Sequence, residues 1–184
     1  MAKTYELISD RMARFLLEQP VFFVGTAPLS QDGHVNVSPK SMTGTFAVVD
    51  EHRVAYLDYT ASGIETISHL RENGRIVLMF CSFTGPPNIV RLHGIGRVVT
   101  PTDPEFADLR TRFSKERTLG QRAIIVVDVR RISDSCGFSL PLMDLRGDRD
   151  LLDRYHERRT PDYFADFQRT RNATSIDGLP GLPS

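Results

Sequence analysis

Thr60, Ser62 and Gly63 follow directly on an apolar run, Val54 to Asp58, and precede a short amphipathic stretch. Residues of these types at the mouth of a strand suit an anion. Small hydroxyls donate hydrogen bonds, and the free amides of a helix start point at a negative group in the field of the helix dipole. Upstream, Ser38-Pro39-Lys40 adds a hydroxyl and an ammonium. The two segments point to a phosphate-bearing cofactor more than to any particular reaction. The same residues also fit plainer roles. A Ser or Thr cap stabilises a helix by about 1 kcal/mol with no ligand present. A lysine at a strand end is usually solvated. Glu65 suits the helix dipole but has to point away from a bound dianion.

Other chemistry has less support. Cys81 and Cys136 form neither a metal spacing nor a disulfide framework. Cys136, in Ser-Cys-Gly, has no neighbouring base and reads as a small packed residue. His34 and His69 lack partners at metal spacing, so surface or interface roles are expected for both. Gly94-Ile95-Gly96 lies inside an alternating run, which predicts a bulge or close packing and not a dinucleotide loop. No Ser/His/Asp order suggests a hydrolase, no metal ligands emerge, and no catalytic acid or base is identified.

The elements that position these residues are mostly strands. Apolar residues recur at helical spacing between Ser9 and Gln19, and Pro20 closes that segment. VFFVGTA (21–27) and HVNVS (34–38) flank turn-forming residues and read as a hairpin with one polar face. Residues 45–49 and 53–58 read as a second hairpin. Ser62 to Glu72 is helical, with Ile64, Ile67 and Leu70 on one side and Asn73-Gly74 at its end. Strands are expected at 76–82, 89–99 and 123–129, with a helix at 105–113 between the last two. Residues 132–144 read as irregular. Asp148 to Arg171 reads as a charged helix with Tyr155, Tyr163, Phe164 and Phe167 packing on the barrel or across a dimer. Residues 175–184 read as an extended arm. About seven mostly antiparallel strands with peripheral helices predict a mainly β fold, a small closed or partly closed barrel.

The 184 residues fit one domain, with residues 145–184 as a helical tail and arm packing on it. The 23 basic and 23 acidic residues cancel, so no general attraction to nucleic acid exists. No apolar run approaches a membrane span. The N-terminus lacks an apolar signal core, and a reduced cytoplasmic setting is expected.

The ordered pieces VFFVGTA, HVNVSPK, AYLDYTASGIETISHLRENGRIVLMF and RLHGIGRVV resemble the pyridoxamine 5'-phosphate oxidase-like flavoproteins of the FMN-binding split-barrel fold. The resemblance runs from about Val21 to Val129. The later SCGFSLPLMD and SIDGLPGL look like an uncharacterised bacterial subgroup. It implies a homodimer with FMN at the subunit interface and an oxidoreductase acting on a small substrate. It also implies FMN contacts from Ser38 and Lys40 and from Tyr59, Thr60, Ser62 and Thr66. Arg91, on the polar face of its strand, would reach the flavin across the interface. The chain departs from the true oxidases in two places. Glu65-Thr66 stands where they carry an Arg-Lys pair, and Val35 or Asn36 where they carry an Arg. A deazaflavin coenzyme or haem in the same barrel, or a non-catalytic flavin-binding sensor, are the alternatives.

Overall fold

The computed structural model describes residues 3–182. Within them, eight antiparallel strands form one curled sheet. They are β1 (Lys3–Tyr5), β2 (Val21–Thr26), β3 (Asn36–Ser41), β4 (Phe46–Asp50), β5 (Arg53–Tyr59), β6 (Arg75–Cys81), β7 (Ile89–Val99) and β8 (Gln121–Ser135). The order is β3-β2-β6-β7-β8-β5-β4, with β1 added along the far end of β8. The two end strands, β3 and β4, are not paired to each other, which leaves a split barrel. Side chains bridge the split. Phe46 of β4 packs on Phe22 of β2 and Phe80 of β6, with ring centroids 5.2 and 5.1 Å apart. Lys40 of β3 reaches Asp58 of β5 at 3.4 Å.

Five helices of the described residues surround the sheet: α1 (Asp10–Glu18), α2 (Glu65–Glu72), α3 (Phe106–Arg110), α4 (Leu151–Glu157) and α5 (Pro161–Thr170). Ser9 caps α1 by accepting from the Met12 amide at 3.3 Å, and Met12 and Leu16 turn its apolar side inward. Helix α2 closes one end of the barrel through Ile64, Ile67 and Leu70, which join the core inside the sheet. A second core lies on the outer face of β5 and β8, where Leu57, Tyr59, Ile124 and Val126 meet Phe106 and Leu109 of α3 and Leu152 of α4. This accounts for the unbroken apolar run of β8, whose central residues are buried on both faces.

Two expectations need correction, and one reading gains a direction. The last strand runs to Ser135, because Ile132 to Ser135 continue pairing with β7 beyond the polar residues that suggested irregularity. The tail is two helices, with Thr160 capping the second and Pro161 at its first position. The alternation in β3 is real, but its polar side faces in. Asn36, Ser38 and Lys40 line the split, while Val35 and Val37 are 72% and 66% exposed. The register of β7 shifts between His93 and Gly94, as the Gly-Ile-Gly pattern suggested, and a Cβ on Gly94 would run into the Asp128 carbonyl. No helix of the described residues is long and apolar enough to cross a membrane.

Candidate functional site

Strand β5 carries an aspartate at an inward position of an otherwise apolar run, and a buried carboxylate requires a partner. Asp58 is 3% exposed. It accepts from Arg122 Nε at 2.7 Å and from Lys40 Nζ at 3.4 Å. Burial alone would raise its pKa. The Arg122 guanidinium, followed by Lys40, outweighs that and holds the carboxyl below its ordinary range. The trio carries one net positive charge.

After Asp58 the chain makes the turn 59–63. Tyr59 is buried, and its hydroxyl donates to the Arg117 carbonyl at 2.8 Å. Thr60 is 2% exposed. Its amide donates to Gly120, its hydroxyl accepts from Gln168 at 2.9 Å, and its carbonyl meets His156 Nε2 at 3.0 Å. These two residues therefore form the spine of the turn. Ser62 and Gly63 are exposed.

Neither Thr60 nor Ser62 caps α2. The N-cap position is Ile64, which makes no side-chain bond. Glu65 folds back over the helix start, so that a Cβ on Gly63 would stand 2.8 Å from its Oε2. That orientation is the opposite of what a bound dianion requires.

On the other wall a polar chain crosses from β3 to α2. Ser38 donates to Asn36 Oδ1 at 3.1 Å. Asn36 Nδ2 donates to Thr66 Oγ1 at 3.0 Å and to Thr26 Oγ1 at 3.2 Å. Thr26 Oγ1 and His69 Nδ1 share a bond of 3.0 Å. His69 is fully buried here, contrary to the surface or interface role expected for it. His34 is exposed and meets Asp177 at 2.6 Å. Beside Lys40 a cleft of about 330 Å³ opens, walled by Leu16, Phe22 and Phe46.

Ser38, Lys40 and Thr66 thus share the split, whereas Ser62 borders a hollow against Tyr163, Phe167 and Arg171 and Tyr59 lies in the outer core. Arg91 does not share the split either. It projects from the outer face of the sheet, donating to Ser135 Oγ at 3.0 Å, with His93 and Arg131 nearby on β7 and β8. Cys136 is exposed, not packed. Among the described residues no group of three or more His, Cys, Asp or Glu could hold a metal. Sequence reasoning missed Asp58, Arg122, Asn36 and Asn172. A charge inside an apolar strand was the available signal for Asp58 alone.

Burial lowers the pKa of both His69 and His156. The unfolded chain takes up protons below about pH 6.5 while the folded imidazoles resist. Stability should therefore fall with pH from 6.5 toward 5, by up to about 1.4 kcal/mol per pH unit for each histidine. Denaturant unfolding at pH 7.5, 6.5 and 5.5 measures it, and a flat profile would contradict neutral buried rings.

The donor set fits a phosphate, given rotation of Glu65. Lys40 has one long contact and further N–H groups to offer. The Thr66 hydroxyl accepts from Asn36 and retains its own hydrogen. The first turn of α2 lacks a side-chain cap.

Comparison with known proteins fits this geometry. A family model described as pyridoxamine 5'-phosphate oxidase matches residues 8–136. A pyridoxamine 5'-phosphate oxidase family protein of Aspergillus flavus, ustO, is 41% identical over 194 residues, covering 98% of this chain and 78% of its own. Among solved structures, HupZ from Group A Streptococcus has a TM-score of 0.54 at 21% identity, covering 68% of this chain and 91% of that one. A FAD-binding protein from Mesorhizobium loti has a TM-score of 0.50 at 12% identity, covering 73% and 96%. The split barrel, a family model spanning most of it and a relative alike over almost the whole length agree, and the chain belongs to the pyridoxamine 5'-phosphate oxidase family.

Proposed function

We propose that this protein is a homodimeric, cytoplasmic flavoprotein that binds FMN in the barrel split and acts as an oxidoreductase on a small substrate. The observation that carries the reading is the uncapped start of α2 at Thr66, joined through Asn36 to the strand that carries Lys40, a set of donors along the split with hydrogens to spare. Family membership makes FMN the first phosphate ligand to consider. The structural relatives from Mesorhizobium loti and Mycobacterium smegmatis named as FAD-binding proteins support a flavin.

In this reading Lys40 and Thr66 hold the phosphate, Ser62 adds a donor from the turn, and Ser38 and Asn36 fix the Thr66 hydroxyl. Bound flavin would supply hydride or electron transfer. The cleft beside Lys40 gives a small molecule an apolar wall, one cation and the carboxylates of Glu18 and Asp148. Arg91 faces away from this split, so it can serve a flavin only across a dimer interface. The half-buried outer face of β2 and β6 (Phe23, Val77 and Met79) beside exposed Val37 and Pro39 supports such an interface. Two unpaired cysteines suit a reducing compartment.

Titration of the purified protein with FMN tests the reading. Quenched flavin fluorescence and a raised melting temperature are expected, and neither would be seen if FMN is not a ligand. Tighter binding of a deazaflavin coenzyme or of haem would replace FMN. Absence of turnover with reduced nicotinamide and a dye acceptor would leave a flavin-binding sensor. Lys40→Ala should weaken FMN about tenfold or more, since a charge-assisted contact contributes about 1.5–3 kcal/mol. Glu65→Gln should tighten it about two- to fivefold, because a charge at a helix start contributes about 0.3–1 kcal/mol. Unchanged affinity in both variants would move the phosphate elsewhere.

A further inference from the structure

We infer that Asn172, carried by the C-terminal segment beyond the family-matched barrel, is the positioning residue of the anion-binding turn 60–63. This rests on the reading of that turn as the phosphate site, but one part of its test does not need a ligand.

The match to the family ends at residue 136, yet the turn is held largely from beyond it. Asn172 is fully buried. Its Nδ2 donates to the Ala61 carbonyl at 3.1 Å and to the Ser62 carbonyl at 3.5 Å. Its Oδ1 accepts from Arg122 Nη1 at 2.8 Å. Arg122 Nη1 also donates to the Gly63 carbonyl at 3.0 Å. Three consecutive carbonyls of the turn are therefore engaged by one amide and one guanidinium. Two further residues of the same segment, His156 and Gln168, hold Thr60 by its carbonyl and its hydroxyl.

Drawing these carbonyls to one side has a directional consequence. In a peptide turn the carbonyls and amides project differently, and a phosphate needs the amides. With the carbonyls of residues 61–63 committed to Asn172 and Arg122, they are kept from an incoming anion. The free donors of Ser62, Gly63 and the α2 start then have a fixed place to present. Asn172 touches none of the proposed ligand atoms and acts through the turn.

The arm that follows holds Asn172 in place. Residues 173–181 double back, with Gly181 donating to the Ala173 carbonyl at 2.8 Å and a bridge between Thr174 and Pro180. Gly181 packs so closely that a Cβ there would overlap the Asn172 carbonyl. The arm also lies along α2, where Ser68 Oγ donates to the Leu179 carbonyl, and its Asp177 meets His34. Order in the arm and order in the turn are thereby coupled through one side chain.

The test uses the full chain with Asn172→Ala and the milder Gln168→Ala, which removes only the bond to Thr60. In ligand-free protein, exchange of the Thr60 amide, which is bonded to the Gly120 carbonyl, should rise at least tenfold in Asn172→Ala, with strands β6 and β7 unchanged. FMN affinity should fall at least tenfold while riboflavin, which lacks the phosphate, changes less than threefold. Gln168→Ala should show the same preference at about threefold. Unchanged exchange at Thr60 would overturn the inference whether or not FMN binds. Equal losses for FMN and riboflavin would also overturn it, since a merely structural role weakens both. If Asn172→Ala does not fold, the isosteric Asn172→Asp, which loses the donors to Ala61 and Ser62 but keeps an acceptor for Arg122, decides on the same two readouts. Wild-type protein that ignores FMN but shows the exchange change would sink the flavin reading and leave the positioning role standing.

Discussion

Val37→Asp should convert the proposed dimer into a monomer and weaken its proposed flavin binding, without unfolding the barrel. Val37 is 66% exposed in the single chain, so a charge there costs the isolated fold little, within about 0.5 kcal/mol. An interface is different. Val37 pairs with Gly25 on β2, which pairs with Val77 on β6, next to the row formed by Pro39, Phe23 and Met79. An aspartate placed in the centre of such a patch would be desolvated with no cation opposite it, a loss of about 2–4 kcal/mol or more per contact. Because a two-fold dimer presents the same patch twice, both copies suffer. Light scattering over a concentration series reads the assembly, and FMN titration reads the cofactor. A Val37→Asp protein that still dimerises and binds FMN like the wild type would place the interface on another surface. Loss of the dimer with flavin binding intact would separate cofactor from interface, and Arg91 would drop out of the site.

The valines also show where sequence reading stops. The alternation of HVNVS identified a strand with two unlike faces, and the hairpin with VFFVGTA formed as expected. Alternation alone does not say which face turns inward. In an ordinary half-buried strand the valines would have done so. Here Asn36, Ser38 and Lys40 turn in because the barrel is split there and Asp58, Thr26 and Thr66 wait across the gap. Local features with local causes were legible: the helix between Ser9 and Pro20, the hairpin of residues 45–49 and 53–58, the irregularity and close packing at Gly94. Lys40 and Thr66, named through the resemblance, lie along the split. The Asp58–Arg122–Asn172 hub was not, because its bonds join residues 64 and 50 positions apart and no spacing rule connects them. His156 and Gln168 were hidden for the same reason, inside a charged tail of which only the aromatics were expected to pack on the barrel or across a dimer.

Arg122→Met should be the most destabilising substitution in this hub, and its defect should shrink in acid. Arg122 and Asp58 are 5% and 3% exposed and bonded at 2.7 Å. Methionine fills much of the volume but leaves the carboxylate with Lys40 alone, at 3.4 Å, and leaves Gly63 and Asn172 without their donor. Breaking a buried ion pair from one side costs about 3–5 kcal/mol. For a chain of this size that lowers the melting temperature by roughly 10–15 °C. The pH dependence follows from what holds Asp58 ionised. In the wild type its pKa lies below the ordinary value, so its contribution to stability is present above about pH 4 and lost as pH falls through the folded value. Without Arg122, burial becomes the dominant influence and pushes the carboxyl up. The folded variant then takes up a proton before the unfolded chain does, and acid relieves it. The gap between variant and wild type should therefore narrow from pH 7 to pH 5, even as the buried histidines weaken both proteins alike. Asp58→Asn in the Arg122→Met background should recover part of the loss at pH 7 and abolish the narrowing, since the stranded charge is gone. Denaturant unfolding of the wild type, both single variants and the double variant at both pH values decides. A pH-independent gap, or a loss under about 1 kcal/mol against the cost of a stranded buried charge, would mean that Asp58 finds other partners once Arg122 is removed, and that the hub is not what holds the turn.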